Sequence, residues 1–166
     1  MRVINLFGGP GAGKSTTAAG LFFLMKSRGH KVELITEYAK ELTYEKRYTQ
    51  LSCQLAVTGE QYSRQFRLNG QIDYLITDSP LLLGAIYAKT QWEAEAAMSA
   101  FLEFDNENFF IVRSKEYQPY GRRESEESAR SVCGKIKHIL VYEGFPYWNI
   151  PGNENAPEEI YTHLNI

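Results

Sequence analysis

The chain has 166 residues, and at roughly 100–200 residues per domain this length predicts a single domain over residues 1–166. Hydrophobic residues make up 43% of the chain and aromatic residues 13%, which excludes an intrinsically disordered protein. The 18 Lys and Arg residues nearly balance 20 Asp and Glu residues, so the formal charge of −2 argues against a protein whose whole surface coats nucleic acid or an anionic membrane.

Runs of β-forming residues alternate with helix-forming stretches along the chain. Strands are predicted at residues 2–7, 31–36, 72–77, 109–112 and 138–142. Helices are predicted at residues 14–28, 49–68, 91–105, 124–137 and 157–164. Because such alternation forms βαβ units, it predicts an α/β fold in which a five-stranded, mainly parallel sheet carries helices on both faces. These sheets bind ligands outside the carboxyl ends of their strands, which directs attention to the residues after each strand.

Residues 8–15, GGPGAGKS, match the phosphate-loop pattern G-x-x-x-x-G-K-[ST] in full, between a predicted strand and a predicted helix. The glycines let backbone N–H groups turn inward and form an anion nest at the helix N-terminus. Lys14 can reach the β- and γ-phosphates of a nucleoside triphosphate, and the Ser15 hydroxyl can ligand Mg²⁺. The pattern predicts a P-loop NTPase fold whose nucleotide contacts are Gly9, Pro10, Gly11, Ala12, Gly13, Lys14, Ser15 and Thr16.

Acidic residues follow the second and third predicted strands. Glu37 and Asp78 are both expected at the carboxyl edge of the sheet, beside the phosphate loop. An acid after an apolar or β-branched strand is the Walker-B pattern, which holds Mg²⁺, and a second carboxylate near the γ-phosphate can accept a proton from an attacking hydroxyl. Asp78 is the predicted metal ligand together with Ser15, but the sequence leaves open which acid is the base. A helix N-cap or a surface carboxylate is the alternative for each acid alone.

Positive charge is concentrated after the fourth predicted strand. Residues 113–137 carry seven bases and four acids, whereas residues 138–166 carry four acids and no Lys or Arg. Pro119 and Gly121 mark a loop, so residues 114–124 are predicted to form a lid in which Arg122 and Arg123 stabilise charge on a transferred phosphoryl group. Ordinary charge at a solvated helix start is the alternative.

These motifs resemble, in kind and in order, those of P-loop nucleoside and nucleotide kinases. They are GGPGAGKS at 8–15, EYA at 37–39, DSP at 78–80 and GRRE at 121–124. The set is similar to the phage-type, thymidylate-kinase-like group, which includes kinases that phosphorylate 5-hydroxymethyluracil in DNA, and the resemblance covers residues 1–145. It implies that Glu37 is the general base and that Asp78 stands at a second acidic position. Those kinases follow that second acid with an arginine, whereas this chain has Ser79.

The same resemblance implies that the loop after the fifth predicted strand contacts adenine. Phe145 lies in that loop and would stack on the base, or pack in the core or against the lid. The implied activity is an ATP-dependent, Mg²⁺-dependent kinase. Its acceptor would be a hydroxyl of a nucleoside, a nucleotide or a hydroxymethylated pyrimidine, including 5-hydroxymethyluracil in a single strand or as a flipped base of DNA.

Two other classes of function fit the phosphate loop. An NTPase or nucleotide-dependent switch would hydrolyse the nucleotide without a small-molecule acceptor, and a non-enzymatic module would bind it without turnover. ADP formation by a kinase should be strongly stimulated by the right acceptor. A switch should form ADP without an acceptor, and a binding module should form none.

The predicted helix at residues 49–68 carries two stripes of different chemistry. Apolar side chains at helical spacing are expected to face the core: Leu51, Leu55, Tyr62 and Phe66. Glutamines repeat the same spacing one residue around the axis: Gln50, Gln54, Gln61 and Gln65. Because an amide both donates and accepts, Gln54 is predicted to contact the acceptor base, with Tyr38 and Arg64 nearby. A polar flank beside the core stripe is the alternative.

The remaining sequence features are mainly exclusions. Cys53 and Cys133 lie 80 positions apart without a CxxC partner, and the three histidines are scattered, so neither a disulfide scaffold nor a metal cage is expected. No run approaches the ~20 apolar residues that span a bilayer, and no signal peptide is expected at the start. The predicted location is the cytoplasm, which would be the host cytoplasm if the chain is phage-encoded.

Overall fold

The computed structural model describes residues 1–114 and 126–166 of the chain. The strands are Arg2–Phe7 (β1), Val32–Ile35 (β2), Tyr74–Thr77 (β3), Asp105–Val112 (β4) and Trp148–Pro151 (β5). The helices are Lys14–Ser27 (α1), Tyr38–Tyr44 (α2), Tyr48–Leu51 (α3), Gln54–Phe66 (α4), Leu83–Tyr87 (α5), Gln91–Leu102 (α6), Glu126–Tyr142 (α7) and Ala156–Leu164 (α8). Within these ranges, no helix combines the length and the apolar character needed to cross a membrane.

The five strands form one sheet in the order β2-β3-β1-β4-β5, and every neighbouring pair is parallel. Ile35 on β2 and Asn5 on β1 both pair with Thr77 on β3, so these three strands end at nearly the same level. The segments that follow them therefore meet at one carboxyl edge. The predicted α/β fold is confirmed, and the described sheet is parallel throughout.

Helices cover both faces of the sheet because successive side chains of a strand point to opposite faces. Ile4 and Leu6 of β1 pack in one core with residues of α1 and α8. Val3 and Phe7 pack in the other core with residues of α6 and α7. The central strand is thus buried on both sides, which gives the loop between β1 and α1 a rigid base.

The predicted strand at residues 138–142 is wrong, because these residues are the end of α7. Ile136 and Leu140 are buried one helical turn apart, while Tyr142 is exposed, and this is helical periodicity. The helix ends in a Schellman motif: Gly144 has φ +72°, and the next backbone N–H bonds to the Leu140 carbonyl at 2.8 Å. An apolar run that looked like a strand is therefore one face of a long helix.

The actual fifth strand, β5, has four residues and ends at Pro151. It lies at the edge of the sheet and pairs only with β4 among the described strands. Proline is tolerated on an edge strand because one side of its backbone has no neighbour to bond. So short a segment, bounded by proline, carries little strand signal in the sequence.

The predicted helix at residues 49–68 is interrupted at Ser52 and Cys53 and forms α3 and α4 instead. The predicted core face is confirmed only in part, because Tyr62 packs against the core but Leu55 and Phe66 do not. Leu55 is 41% exposed and Phe66 56% exposed, whereas Gln61 and Gln65 are only 4% and 1% exposed. The glutamine face of α4 therefore points into the protein.

Candidate functional site

The phosphate loop connects β1 to α1 and depends on glycine at three positions. Gly8, Gly11 and Gly13 have φ values of +144°, +79° and +101°, a region that residues with a Cβ rarely adopt. At Gly8 a Cβ would also lie 2.8 Å from the Ile111 carbonyl oxygen of β4. The loop therefore takes this path because its glycines allow it and because β4 lies against it.

The first turn of α1 brings a cation to the same loop. The Lys14 ammonium donates to the carbonyl oxygens of Gly8 and Gly9 at 2.9 and 3.3 Å. Thr16 and Ser15 are exposed on this turn, while Pro10 is half-buried and Ala12 is buried. The positive end of a helix and an ammonium group together make a favourable place for an anion.

Ser15 and Asp78 are in direct contact although 63 residues separate them. The Ser15 hydroxyl donates to Asp78 Oδ2 at 2.5 Å. Asp78 is 3% exposed, and its Oδ1 has no hydrogen-bond partner among the described residues. A buried carboxylate oxygen without a partner is costly, and hydroxyl and carboxylate oxygens are the donors that Mg²⁺ prefers. These two residues therefore fit a Mg²⁺ site.

Glu37 lies at the same carboxyl edge, at the end of the neighbouring strand. Ile35 pairs with Thr77, so Glu37 follows β2 by two residues where Asp78 follows β3 by one. Glu37 is the half-buried N-cap residue of α2, but its side chain makes no capping bond. The structure therefore orders the predicted acids side by side along the edge, with Asp78 between Glu37 and the phosphate loop.

The buried Gln61 holds the turn that carries Glu37. Its side-chain oxygen accepts from the Tyr38 backbone N–H at 3.2 Å, and its side-chain nitrogen donates to the Thr36 carbonyl at 3.3 Å. The ring of Tyr38 is buried, and its hydroxyl accepts from Gln50 Nε2 at 2.8 Å. Two of the stripe's glutamines thus contact the Glu37 segment, and neither is the predicted Gln54.

Arg64 ties α2 to α4. Its guanidinium makes two hydrogen bonds to the Glu41 carboxylate, at 2.6 and 2.8 Å, and one to Glu60 at 2.9 Å. It also lies over the ring of Tyr38, 4.7 Å from the centroid. The hydrogen bonds from Arg64 lower the pKa of Glu41, and those carboxylates raise the pKa of Arg64. Arg64, predicted to contact the acceptor, lies beside Tyr38 in an ion-pair network.

Two other predicted residues are placed differently from their predicted settings. Gln54 is the first residue of α4 rather than a full turn inside a helix, and its side chain bonds to Thr58 Oγ1 at 3.2 Å. Phe145 packs on Phe101, with ring centroids 5.2 Å apart, and precedes the fifth strand instead of following it. The premise that placed Phe145 in the loop after the fifth strand is therefore wrong.

The loop that does follow β5 touches the phosphate loop. A Cβ at Gly152 would lie 2.1 Å from the Ala12 carbonyl oxygen and 3.2 Å from that of Val112. Only a glycine lets the two loops approach so closely. The prediction missed this contact because it placed the fifth strand elsewhere in the sequence.

Arg113 is a further residue at this edge that the prediction did not assign to the site. It follows β4 directly, and its Nη2 donates to the Pro10 carbonyl at 2.7 Å. The rule that singled out Glu37 and Asp78, a polar residue just after a strand, also applies to Arg113. Arg122 and Arg123 of the predicted lid lie outside the described residues. Within the part of the chain that is described, no three His, Cys, Asp or Glu residues are grouped to hold a metal ion.

Comparisons with known proteins bear on the family and on the fold. A family model described as an AAA domain matches residues 3–157. Among solved structures, the chain is similar to deoxyadenosine kinase from M. mycoides with bound dATP, at 19% sequence identity and a TM-score of 0.62, with all of both chains covered. No curated protein matches the sequence. The structural likeness confirms the fold.

Proposed function

Since the chain belongs to the AAA domain family, we propose that it is an ATP-dependent kinase that transfers the γ-phosphoryl group to an acceptor hydroxyl. The observation that carries this proposal is the contact between Ser15 and Asp78 beside Lys14, with a buried carboxylate oxygen left without a described partner. That arrangement suits a metal–triphosphate complex. The second acid, Glu37, at the end of the neighbouring strand, supplies the group that a transferase needs.

The proposed roles follow from position. Backbone N–H groups of residues 9 and 11–16 and the Lys14 ammonium bind the phosphates, and Pro10 shapes the loop without donating. Ser15 and Asp78 would hold Mg²⁺, which would neutralise phosphate charge. Glu37 accepts the proton of the acceptor's hydroxyl group while the hydroxyl oxygen bonds to the γ-phosphorus. The bond from that phosphorus to the bridging oxygen breaks, and ADP leaves. Arg122 and Arg123 are proposed to stabilise the transferred charge from the lid.

A free nucleoside is the acceptor that we favour. The matching solved structure is a deoxyadenosine kinase, which supports an acceptor of this class. In addition, Arg64, which lies against Tyr38 next to Glu37, is already paired with Glu41 and Glu60, so it is not poised to receive an acceptor's phosphate. The alternative acceptors are a nucleotide and 5-hydroxymethyluracil in DNA, and experiment can distinguish them from a free nucleoside.

An acceptor screen with γ-labelled ATP tests the activity. It should include the nucleosides, their monophosphates, and single- and double-stranded oligonucleotides with 5-hydroxymethyluracil. We expect label to move to a nucleoside hydroxyl, with ADP formation strongly stimulated by that acceptor. Label on the oligonucleotide would show that the acceptor is a base in DNA. ADP formation indifferent to every acceptor would replace the kinase with an NTPase or switch, and binding of ATP without turnover would indicate a binding module.

A further inference from the structure

One side chain holds both peptide groups that flank Glu37. Gln61 accepts from the Tyr38 N–H and donates to the Thr36 carbonyl. The Thr36 carbonyl belongs to the peptide group before the Glu37 Cα, and the Tyr38 N–H belongs to the one after it. Rotation of these two groups about Cα is what defines the φ and ψ of Glu37, here −66° and 113°. A single amide therefore restrains both backbone dihedrals of Glu37.

The hydrogen bond from the Tyr38 N–H to Gln61 also caps the N-terminus of α2. Tyr38 is the first residue of α2, and its N–H is one of the donors that a helix start leaves without an intrahelical partner. An N-cap side chain usually accepts from such donors, but the Glu37 carboxylate makes no capping bond. Gln61 satisfies this N–H from another helix.

Gln61 is itself held in place by the anchoring of α4 on three sides. Arg64 joins α4 to Glu41 of α2, and the Tyr62 hydroxyl donates to Glu103 at 2.6 Å, just after α6. Thr58 lies against Gly84 of α5, where a Cβ would be 2.5 Å from the threonine Oγ1. The amide that holds the Glu37 turn therefore stands on a helix with little freedom to shift.

We propose that Gln61 is a positioning residue, whose two hydrogen bonds fix the backbone of Glu37 and so the direction in which its carboxylate meets the acceptor hydroxyl. This inference rests on the proposed function, because it gives Glu37 the part of general base. It differs from the predicted role of the glutamine stripe, in which a glutamine contacts the base itself. Gln61 is turned to the chain's own backbone.

Gln61→Met tests the proposal, because it keeps the length of the side chain and removes both hydrogen bonds. We expect kcat to fall by about 10- to 100-fold, since a displacement of about 1 Å at a reacting group can cost as much as 10²-fold. The KM for ATP should stay at the parental value, because both described hydrogen bonds of the Gln61 side chain go to the Glu37 turn.

Gln65→Met is the matched control. Gln65 lies one turn further along the same face of α4, is as buried as Gln61, and its Nε2 has no hydrogen-bond partner among the described residues. It makes no described bond to the Glu37 turn, so kcat should stay within about two-fold of the parent. An equal loss of kcat in both variants would overturn the proposal, because it would indicate general damage to α4.

A double-mutant cycle separates positioning from mere stability. In a Glu37→Gln background there is no base to aim, so adding Gln61→Met should lower kcat by less than about three-fold. The same 10- to 100-fold loss in that background would overturn the proposal. If Gln61→Met does not fold, Gln61→Glu keeps the bond from the Tyr38 N–H and loses the one to Thr36. Unchanged kcat in either folded variant contradicts the proposal.

Amide hydrogen exchange gives a readout that does not depend on activity. The Tyr38 amide should exchange at least about ten-fold faster in Gln61→Met than in the parent, and at the parental rate in Gln65→Met. If the Tyr38 amide exchanges faster in Gln61→Met while the parent phosphorylates no acceptor, Gln61 holds the turn but the proposed kinase function is wrong. Unchanged exchange in Gln61→Met would reject the role of Gln61 whatever the activity.

Discussion

The Ser15 hydroxyl donates to the Asp78 carboxylate at 2.5 Å and so joins the first turn of α1 to the end of β3. Asp78 is 3% exposed, whereas Glu37, which follows the neighbouring strand, is half-buried. The geometry thus gives the two acids different surroundings, although the sequence presents them alike. We therefore propose that Asp78 holds the metal and that Glu37 acts as the base.

Glu37→Gln and Asp78→Asn should therefore fail in different ways. Glu37→Gln should lower kcat by about 10²–10⁴-fold with little change in ATP affinity, because a general base acts only on the acceptor. Asp78→Asn should raise the Mg²⁺ concentration needed for half-maximal rate, because it removes a carboxylate ligand. Rate measured against Mg²⁺ for both variants tests this, and the reverse pattern would mean that the roles are exchanged.

Lys14→Ala should abolish most phosphoryl transfer while leaving the fold intact. Removing one donor that stabilises developing charge costs about 3–4 kcal/mol, or about 10²–10³-fold in kcat. Lys26→Ala is the matched control, because Lys26 lies on the same helix and pairs with Glu33 at the surface. Thermal melting and initial rates should be measured on both. A Lys14→Ala protein with the parental melting temperature and more than a tenth of the parental rate would contradict the proposed role of Lys14.

Gly152→Ala should displace the phosphate loop, although Gly152 is not part of that loop. The new Cβ would lie 2.1 Å from the Ala12 carbonyl, so the loop or β5 must move. Overpacking of this kind costs about 1–3 kcal/mol of unfolding free energy, and the displaced loop should bind ATP more weakly.

Gly134→Ala serves as the control for that experiment. A Cβ at Gly134, in α7, has nothing within 4 Å among the described residues, so the change should stabilise the helix by about 0.5–1 kcal/mol. Denaturant unfolding and ATP titration on both variants make the comparison. Parental ATP affinity in Gly152→Ala would show that the contact with Ala12 does not shape the nucleotide site.

The ion pair between Arg64 and Glu41 predicts a pH dependence of stability. Because hydrogen bonds from Arg64 lower the pKa of Glu41 in the folded protein, the pair stabilises fully above the ordinary glutamate pKa near 4.5. This contribution is lost as the pH falls through the lowered pKa. The parent should therefore melt above Glu41→Gln at pH 7, and the difference should vanish in acid. The pair is half-exposed, so the gap at pH 7 should be small. A gap that persists at pH 2 would contradict this account.

The predicted lid is tested through Arg122→Ala and Arg123→Ala. If these residues act on the triphosphate, at least one variant should lose turnover with every acceptor. If they hold a DNA strand, the loss should appear only with oligonucleotides, and the salt dependence of binding should flatten by about one unit per lost phosphate contact. Unchanged kinetics with all acceptors would indicate that both residues carry ordinary solvated surface charge.

The phosphate loop was predictable from the sequence because its determinants are local. Glycines at fixed positions allow the positive φ values of Gly8, Gly11 and Gly13, and the lysine and serine follow within the same turn of helix. The positions of Glu37 and Asp78 at the carboxyl edge of the sheet were predictable for a related reason. Period and composition locate a strand's carboxyl end, and parallel strands bring those ends to one edge.

The tertiary structure decided the features that depend on a distant partner. Residues 138–142 have strand-like composition, but Ile136 and Leu140 bury one face of a helix against the sheet. Gln61 is buried because the turn at Glu37 presents an N–H and a carbonyl that need partners, while Leu55 is left exposed. Periodicity reports which side chains share a face, but only the arrangement of the whole chain sets what that face meets. The positions of Arg113 on Pro10 and of Gly152 on Ala12 have the same origin, because each is a contact between segments about 100 or more residues apart.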